Sequence, residues 1–185
     1  MAVGRPREFD PDQVEDAAMK LFWAHGFDGV SISDVAAATG VNRRGIYAEF
    51  GSKEKLYERA VQRYLAGPGA YLVAALTLPT AREVVEAMVH GAADAVSSDP
   101  HGCLTVDDGP GLAEIREAAV HRLAERFDAA VADGELPGVD TLVLARWIAA
   151  VCQGIAVQAR SGADRAELHG VADAALAGWP GASRV

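Results

Sequence analysis

The chain has 185 residues, of which 50% are hydrophobic, 23% charged and 6% aromatic, and its formal net charge is −9 at pH 7. This length and apolar content support one domain with a core, or two small domains, and they exclude a mostly disordered chain. The two cysteines, Cys103 and Cys152, are too few for a disulfide framework, and neither belongs to a CxxC pair. The polar start lacks the apolar segment of a secretory signal, so we expect a cytoplasmic protein.

The net negative charge hides a difference between two parts of the chain. Residues 1–65 carry nine Lys and Arg against ten Asp and Glu, a net of −1, whereas residues 66–185 carry eight against sixteen, a net of −8. Between residues 43 and 63 six bases stand against three acids. These bases are Arg43, Arg44, Lys53, Lys55, Arg59 and Arg63. Because binding to a polyanion responds to the local field, the total charge does not exclude a nucleic acid partner.

Apolar residues recur at spacings of three and four along nearly the whole chain, which predicts an all-α fold of about nine helices. In the first part, capping residues and glycines delimit four helices. Their predicted positions are 11–25, 32–39, 43–50 and a fourth that follows Ser52. After the break at Gly67-Pro68-Gly69, further helices are predicted at about 80–98, 103–108, 112–133, 139–161 and 163–178. The most apolar stretch, 142–157, is interrupted by Arg146 and Gln153, so we expect it to be a poor membrane span.

Residues 33–47 have the proportions of a helix-turn-helix, with Gly40 at the turn between two short helices. Val35 and Val41 would pack the pair against the first helix. The second helix would then present five residues outward, namely Asn42, Arg43, Arg44, Tyr47 and Ala48. Arginine can bridge two acceptors on a guanine edge and asparagine can do so on adenine, while a helix start suits a phosphate. This pattern favours binding in the DNA major groove.

Residues 9–64 resemble the DNA-binding domain of the TetR (tetracycline-repressor-like) transcriptional regulators. The motifs that carry the resemblance are G-F at 26–27, D-V-A at 34–36, G-V at 40–41, I-Y-A-E-F at 46–50 and S-K-E-K-L at 52–56. A Gly102-Cys103-Leu104 element also resembles the start of the sixth helix in many relatives. The resemblance implies a homodimer whose third helices enter successive major grooves of a near-palindrome, about 34–36 Å apart or a multiple of that.

The same resemblance implies roles for single residues. Tyr47 and Lys53 are expected to contact phosphate, while Asn42, Arg43, Arg44 and Ala48 occupy base-facing or groove-facing positions. Three positions depart from the common pattern: Arg44 stands where many relatives have glycine, Gly45 where they often have threonine or serine, and Glu49 where histidine or tyrosine is frequent. These departures leave the operator sequence open. The resemblance also implies an organisation into a DNA-binding domain (1–51, with an arm at 1–9), a connecting helix (52–66) and a ligand-binding and dimerisation domain (67–185).

The leading arm has two interpretations. Arg5 and Arg7 flank Pro6, and arginines in an extended arm suit a narrow minor groove. The alternative is a solvated tail without a binding role.

The last part of the chain is expected to dimerise and to bind a small-molecule effector. Candidate interface residues, apolar and on the last two helices, are Leu144, Ile148, Cys152, Ile155, Leu168, Val171 and Ala175. Candidate pocket residues are Tyr71, Met88, Cys103, Phe127 and Trp147, whose mostly apolar character predicts an uncharged or weakly polar effector. For each pocket residue the alternative is a plain core position.

We therefore predict a cytoplasmic DNA-binding regulator, a repressor that binds a palindromic operator as a homodimer and is released by an effector. No catalytic residue, metal site, cofactor or membrane partner is expected. The alternative is an all-helical ligand-binding protein or enzyme that does not bind DNA. An enzyme is disfavoured because the sequence offers no nucleophile–base pair, phosphate loop or metal set.

Overall fold

The computed structural model describes residues 9–97 and 101–180, and within these ranges the chain is all-helical, as predicted. The helices are α1 (Pro11–His25), α2 (Ile32–Thr39), α3 (Arg43–Phe50), α4 (Lys53–Ala66), α5 (Ala70–Ala75), α6 (Ala81–Ser97), α7 (Leu112–Ala132), α8 (Thr141–Arg160) and α9 (Arg165–Ala177). A single 3-10 turn spans Leu104–Val106.

Polar caps fix the ends of the first helices. The Asp10 side chain accepts from the backbone N–H of Asp12 at the start of α1, and Ser31 and Asp34 form a reciprocal capping box on α2. Gly40 ends α2 with φ of 72°, a left-handed conformation that glycine adopts without steric cost. These signals explain why the predicted limits of α1, α2 and α3 agree with the structure.

Helices α1 to α3 form a small head whose core is shared with α4. Helix α1 packs against both α2 and α4, and α2 packs against α3. Phe22 and Tyr57 meet edge to face, with ring centroids 5.0 Å apart, while Val35 and Ile46 are fully buried. Because α4 continues from this core towards α5, it connects the head to the rest of the molecule.

Helices α5 to α9 form a larger body. Helix α6 lies against α5, α8 and α9, and α7 lies against α8. Two elements differ from the sequence prediction. Helix α5 was not predicted, because Gly69 offers no side-chain cap and six residues carry too little periodic signal. The helix predicted at 103–108 is only the 3-10 turn of Leu104–Val106.

Helix α8 is 20 residues long, and its most apolar window has a mean hydropathy of 1.5, so by length and composition alone it could cross a membrane. In the structure this helix packs against α6, α7 and α9, and this packing accounts for one of its apolar faces. Only 28% of its most apolar window is buried, so the opposite face remains open.

Candidate DNA interface and effector cavity

Helix α3 is anchored by one face and presents the other to solvent. Ile46 and Phe50, one turn apart, are 0% and 4% exposed in the core of the head. Arg43, Arg44, Tyr47 and Ala48 all lie on the exposed side, and Tyr47 is 48% exposed. The structure therefore places these four predicted residues on one free helix surface.

Asn42 caps helix α3, and this limits its predicted contact with a base. Its Oδ1 accepts a hydrogen bond of 2.8 Å from the Gly45 backbone N–H, which makes Asn42 the N-cap of α3. A bidentate contact to adenine would compete with this cap, since it needs the same carbonyl oxygen. The side-chain NH₂ group of this exposed residue stays available as a donor.

The two arginines of α3 differ in their hydrogen-bond partners. The Arg43 Nη1 donates to the Ser33 hydroxyl on α2 at 3.1 Å, which holds this side chain across the turn. Arg44 makes no hydrogen bond or ion pair with residues of the two described ranges, so its guanidinium is available to acceptors outside the chain.

Packing accounts for the glycine at position 45, where many relatives have threonine or serine. A Cβ on Gly45 would lie 3.3 Å from the Phe9 ring.

Lys53 begins α4, and its ammonium lies 4.1 Å from the centre of the Phe27 ring. Phe27 follows α1, so this cation–π contact positions the charge at the start of α4. Tyr47 and Lys53 flank the turn between α3 and α4. Side chains placed in this way can contact phosphates when the helix beside them lies in a groove of DNA.

Two of the six bases counted in the sequence are used inside the head. Arg59 forms an ion pair of 3.0 Å with Glu15, and the Arg63 Nη2 donates to Asp16 at 3.0 Å. The hydrogen bond from Arg63 holds the pKa of the Asp16 carboxyl below its ordinary value. These pairs join α4 to α1, so the cluster of bases available to DNA is smaller than the sequence suggested.

Arg5 and Arg7 of the predicted minor-groove arm lie outside the described residues.

A mostly apolar cavity of about 110 Å³ lies in the body, between α5, α6, α7, α8 and the 3-10 turn. Three predicted pocket residues, Tyr71, Met88 and Cys103, line it. The other two do not, which corrects the prediction. Phe127 packs on Trp179 with ring centroids 5.5 Å apart, and a Cβ on Gly178 would lie 3.7 Å from the Trp147 ring.

Sequence reasoning also missed several lining residues, among them Thr105, Ile115, Ala149 and Cys152. Helical periodicity identifies a buried face, but it does not tell which buried residues leave a gap between helices.

The predicted dimer residues divide between core and surface. Leu144, Ile148, Ile155 and Leu168 are at most 8% exposed, and are buried within the single chain. Their burial leaves little surface for a contact with a second chain, which disfavours this part of the predicted interface. Cys152 lines the cavity and Ala175 is partly buried, whereas Val171 is 42% exposed. The open apolar side of α8 instead carries Val143 and Val157, which are 61% and 48% exposed.

Residues 101–109, which we call the linking segment, contact both the head and the cavity. The Trp23 Nε1 of α1 donates to the Gly102 carbonyl at 2.8 Å, and the Tyr64 hydroxyl of α4 donates to the Cys103 Sγ at 3.4 Å. On the body side, the Arg160 Nε donates to the His101 carbonyl at 2.9 Å. Sequence reasoning singled out Gly102-Cys103-Leu104 and named Cys103 as a pocket residue, but it did not identify the contacts with Trp23 and Tyr64, because contacts so distant in the chain leave no local pattern.

Comparison with known proteins agrees with this geometry. Residues 15–60 match the family model described as bacterial regulatory proteins, tetR family. The HTH-type transcriptional repressor ComR of Escherichia coli K12 is 32% identical over 195 residues, an alignment that covers 96% of this chain and 92% of ComR. The HTH-type transcriptional repressor BdcR of the same organism is 45% identical over 62 residues, which cover 34% of this chain and 32% of BdcR.

The solved structure of a cysteine mutant of the TetR family transcriptional regulator CifR, complexed with 26-bp double-strand operator DNA, has a TM-score of 0.88 and 34% identity to this chain. The match covers 95% of this chain and 100% of that one. The fold and the exposed face of α3 define a helix-turn-helix transcriptional regulator that binds DNA. The chain belongs to the TetR family.

Proposed function

We propose that this regulator is a cytoplasmic repressor that binds a near-palindromic operator as a homodimer and leaves it when a small molecule enters the body cavity. The observation that carries the proposal is the division of α3 into an anchored face and a free face. Ile46 and Phe50 fix the helix in the head, while Arg43, Arg44, Tyr47 and Ala48 remain exposed. We place the boundaries of head, connecting helix and body at 1–51, 52–66 and 67–185.

Reading of the operator is assigned to α3. Arg44, which has no partner among the residues the structure describes, suits the two acceptors O6 and N7 of a guanine. Arg43 can bind a base edge or a phosphate after releasing Ser33, and the small Ala48 side chain allows close approach to the groove. Tyr47 and Lys53 contact the sugar-phosphate backbone and fix the register of the head.

A second copy of the chain covers the open side of α8. Val143, Ala150, Gly154 and Val157 recur there at helical spacing and are all exposed in the single chain, as is Val171 on α9. Small and apolar side chains let two helices approach closely, and a two-fold axis brings the same surface of each copy together. This arrangement sets the two heads at a fixed spacing on the DNA.

The effector acts through the linking segment. Cys103 and Thr105 of this segment line the cavity, while Gly102 and Cys103 contact Trp23 and Tyr64 of the head and connecting helix. A ligand that binds one spacing of the heads better than the other shifts the population towards that spacing.

The test begins with selection of bound DNA from a random pool, followed by electrophoretic shift with the recovered duplex. We expect a two-fold related site, and we expect Arg44→Ala to weaken binding of it by about 1–3 kcal/mol. Arg165→Ala, which removes an exposed charge at the start of α9, serves as the matched control and should bind normally. Failure to recover any preferred sequence would contradict the proposal.

A further inference from the structure

Two thiols line the effector cavity, and their surroundings differ. Cys152 on α8 donates to the Met88 carbonyl oxygen at a distance of 3.8 Å from sulfur to oxygen. Burial raises the pKa of the Cys152 thiol to about 12. It therefore stays a neutral thiol at ordinary pH, and a neutral thiol is a poor nucleophile.

Cys103 is surrounded by hydroxyl groups instead. The Tyr64 hydroxyl donates to the Cys103 Sγ at 3.4 Å, and the Thr105 Oγ1 lies 3.1 Å from the same sulfur. Burial raises the pKa of Tyr64 far above its ordinary value, with a smaller contribution from Cys103, so Tyr64 remains protonated and continues to donate. A hydroxyl that donates to sulfur, as Tyr64 does here, stabilises negative charge that develops on it, and sulfur reacts as a nucleophile in its thiolate form.

Tyr71 supplies a donor to the same cavity. Its hydroxyl makes no hydrogen bond within residues 9–97 and 101–180, so the chain itself does not satisfy it there. Tyr71, Cys103 and Cys152 line the same cavity, and burial raises the pKa of Tyr71, so its hydroxyl stays protonated. The Tyr71 ring packs directly against Gly91, where an added Cβ would lie 2.6 Å from it. A protonated hydroxyl without a partner can donate to the carbonyl oxygen of a ligand.

The rest of the lining limits the charge of the ligand. Leu72, Val96 and Ile115 are aliphatic, and the guanidinium of Arg116 already donates to the carbonyls of Thr105 and Asp107, at 2.8 and 2.9 Å. Arg122, the other charged residue of the lining, is exposed to solvent, so a charged ligand among the aliphatic residues would lose its hydration without gaining a buried counter-charge. An uncharged molecule with one acceptor matches the lining.

We propose that Cys103 is a covalent sensing site, and that the effector is a small uncharged α,β-unsaturated carbonyl compound whose oxygen accepts from Tyr71. This inference rests on the proposed function, since it names the chemistry of the same cavity. The Cys103 thiol loses its proton to solvent, and a sulfur lone pair forms a bond to the β-carbon. The electron pair of the C=C bond moves towards the carbonyl, and solvent returns a proton to the α-carbon. Every atom of the compound stays in the adduct, and nothing is oxidised or reduced.

The position of the sulfur explains how an adduct would change the position of the head. Cys103 touches Tyr64 on α4, the helix that follows the recognition helix α3. A substituent on the sulfur occupies the space beside this hydroxyl, so α4 has to move relative to the linking segment. The two spacings of the heads then differ in how well they accommodate the adduct.

The experiment treats the full-length protein with methyl vinyl ketone, and with butanone as a control of the same shape without an electrophilic carbon. Peptide mass mapping locates the adduct, and titration of the selected operator duplex measures affinity before and after treatment. We expect one adduct, at Cys103, and binding that is roughly ten- to a hundredfold weaker, within the usual range of coupling between two sites. Butanone leaves affinity unchanged, Cys152→Ser keeps the response, and Cys103→Ser loses it.

Tyr71→Phe provides a second test that does not depend on replacing the cysteine. It should slow alkylation by methyl vinyl ketone several-fold, but not reaction with methyl methanethiosulfonate, which has no carbonyl. An adduct at another residue alone, no adduct, or full alkylation of Cys103 with unchanged operator affinity would overturn the inference. If the untreated protein bound no DNA, the proposed function would fail, while the mass map would still decide whether Cys103 is the reactive thiol.

Discussion

The indole nitrogen of Trp23 donates a hydrogen bond of 2.8 Å to the carbonyl of Gly102, and this bond ties α1 of the head to the linking segment. The same ring packs edge to face on Tyr64, with centroids 4.9 Å apart. Gly102 has a φ of 71°, so its carbonyl direction depends on a left-handed turn that favours glycine. Head and body are therefore joined at a point where the backbone geometry is closely defined.

Trp23→Phe tests the hydrogen bond between the Trp23 indole and the Gly102 carbonyl. Phenylalanine keeps a ring against Tyr64 but has no donor, so a partly buried carbonyl loses its partner. We expect the free energy of unfolding, from urea titration, to fall by about 1–2 kcal/mol. Trp147→Phe is the control for loss of ring area, since the Trp147 indole makes no hydrogen bond within the described part of the chain. An equal loss in both variants would show that the hydrogen bond contributes nothing.

Gly109→Ala tests the contact between the linking segment and α4. A Cβ at this position would lie 2.0 Å from the Tyr57 hydroxyl oxygen, and Tyr57 is buried between Phe22 and Phe27 with little freedom to move. We expect a loss of about 1–3 kcal/mol in stability, typical of overpacking. Gly138→Ala, where nothing lies within 4 Å, should be close to neutral. If Gly109→Ala unfolded at the same temperature as the control, the close approach would be disproved.

The Asp16–Arg63 pair predicts a dependence of head stability on pH. Because the hydrogen bond from Arg63 lowers the folded-state pKa of Asp16 below its ordinary 3.8, the pair stabilises the fold above that pH. This contribution is lost as the pH falls below 3.8 through the folded-state pKa. Both side chains are partly exposed, so we expect no more than about 1 kcal/mol. Thermal unfolding of Asp16→Asn and the parent protein should differ near neutral pH and converge in acid; a constant difference would contradict the prediction.

Lys53 and Arg44 should respond differently to substitution. Lys53→Ala removes a phosphate contact, so it should weaken all duplexes alike and reduce the salt slope by about one per subunit. Arg44→Ala should relax preference at one base position in each half-site. Titrations of matched and mutated operators at several salt concentrations separate the two effects. Equal losses on every sequence for both variants would remove the base-reading role of Arg44.

Val157→Asp tests the open side of α8. This residue is 48% exposed, so a charge there costs the single chain little, but in a two-fold interface it would meet its own copy. Sedimentation velocity should show the parent protein as a dimer and the variant as a monomer. Val73→Asp, at a position 52% exposed on α5, is the control and should remain dimeric. A monomeric parent at micromolar concentration would exclude the interface.

The head could be predicted closely from sequence because its information is local. Caps at Asp10, Ser31, Asn42 and Ser52 fix where each helix begins, and the buried positions follow the helical period. Even there, the sequence counted Arg59 and Arg63 among the bases available to DNA, although their partners lie on α1. Which charges are already neutralised depends on pairs of residues more than forty positions apart.

The body was harder to predict for the same reason. Leu144 and Ile155 are apolar and lie on a helix that is apolar on both sides, so periodicity could not tell the core face from the open face. The cavity arises where side chains fail to fill the space between helices, and that depends on packing rather than on pattern. The linking segment has no repeating signal at all, and its importance comes from contacts with Trp23, Tyr57 and Tyr64.

The most direct test of DNA reading by α3 is protection of guanine N7 from methylation in the selected operator. N7 lies in the major groove, and half-sites of a dimer lie about one helical turn apart or a multiple of that. We predict protected guanines in two symmetric half-sites with the parent protein, and loss of protection at one guanine in each with Arg44→Ala. Tight binding without any major-groove protection, or no affinity for DNA at low ionic strength, would contradict the assignment.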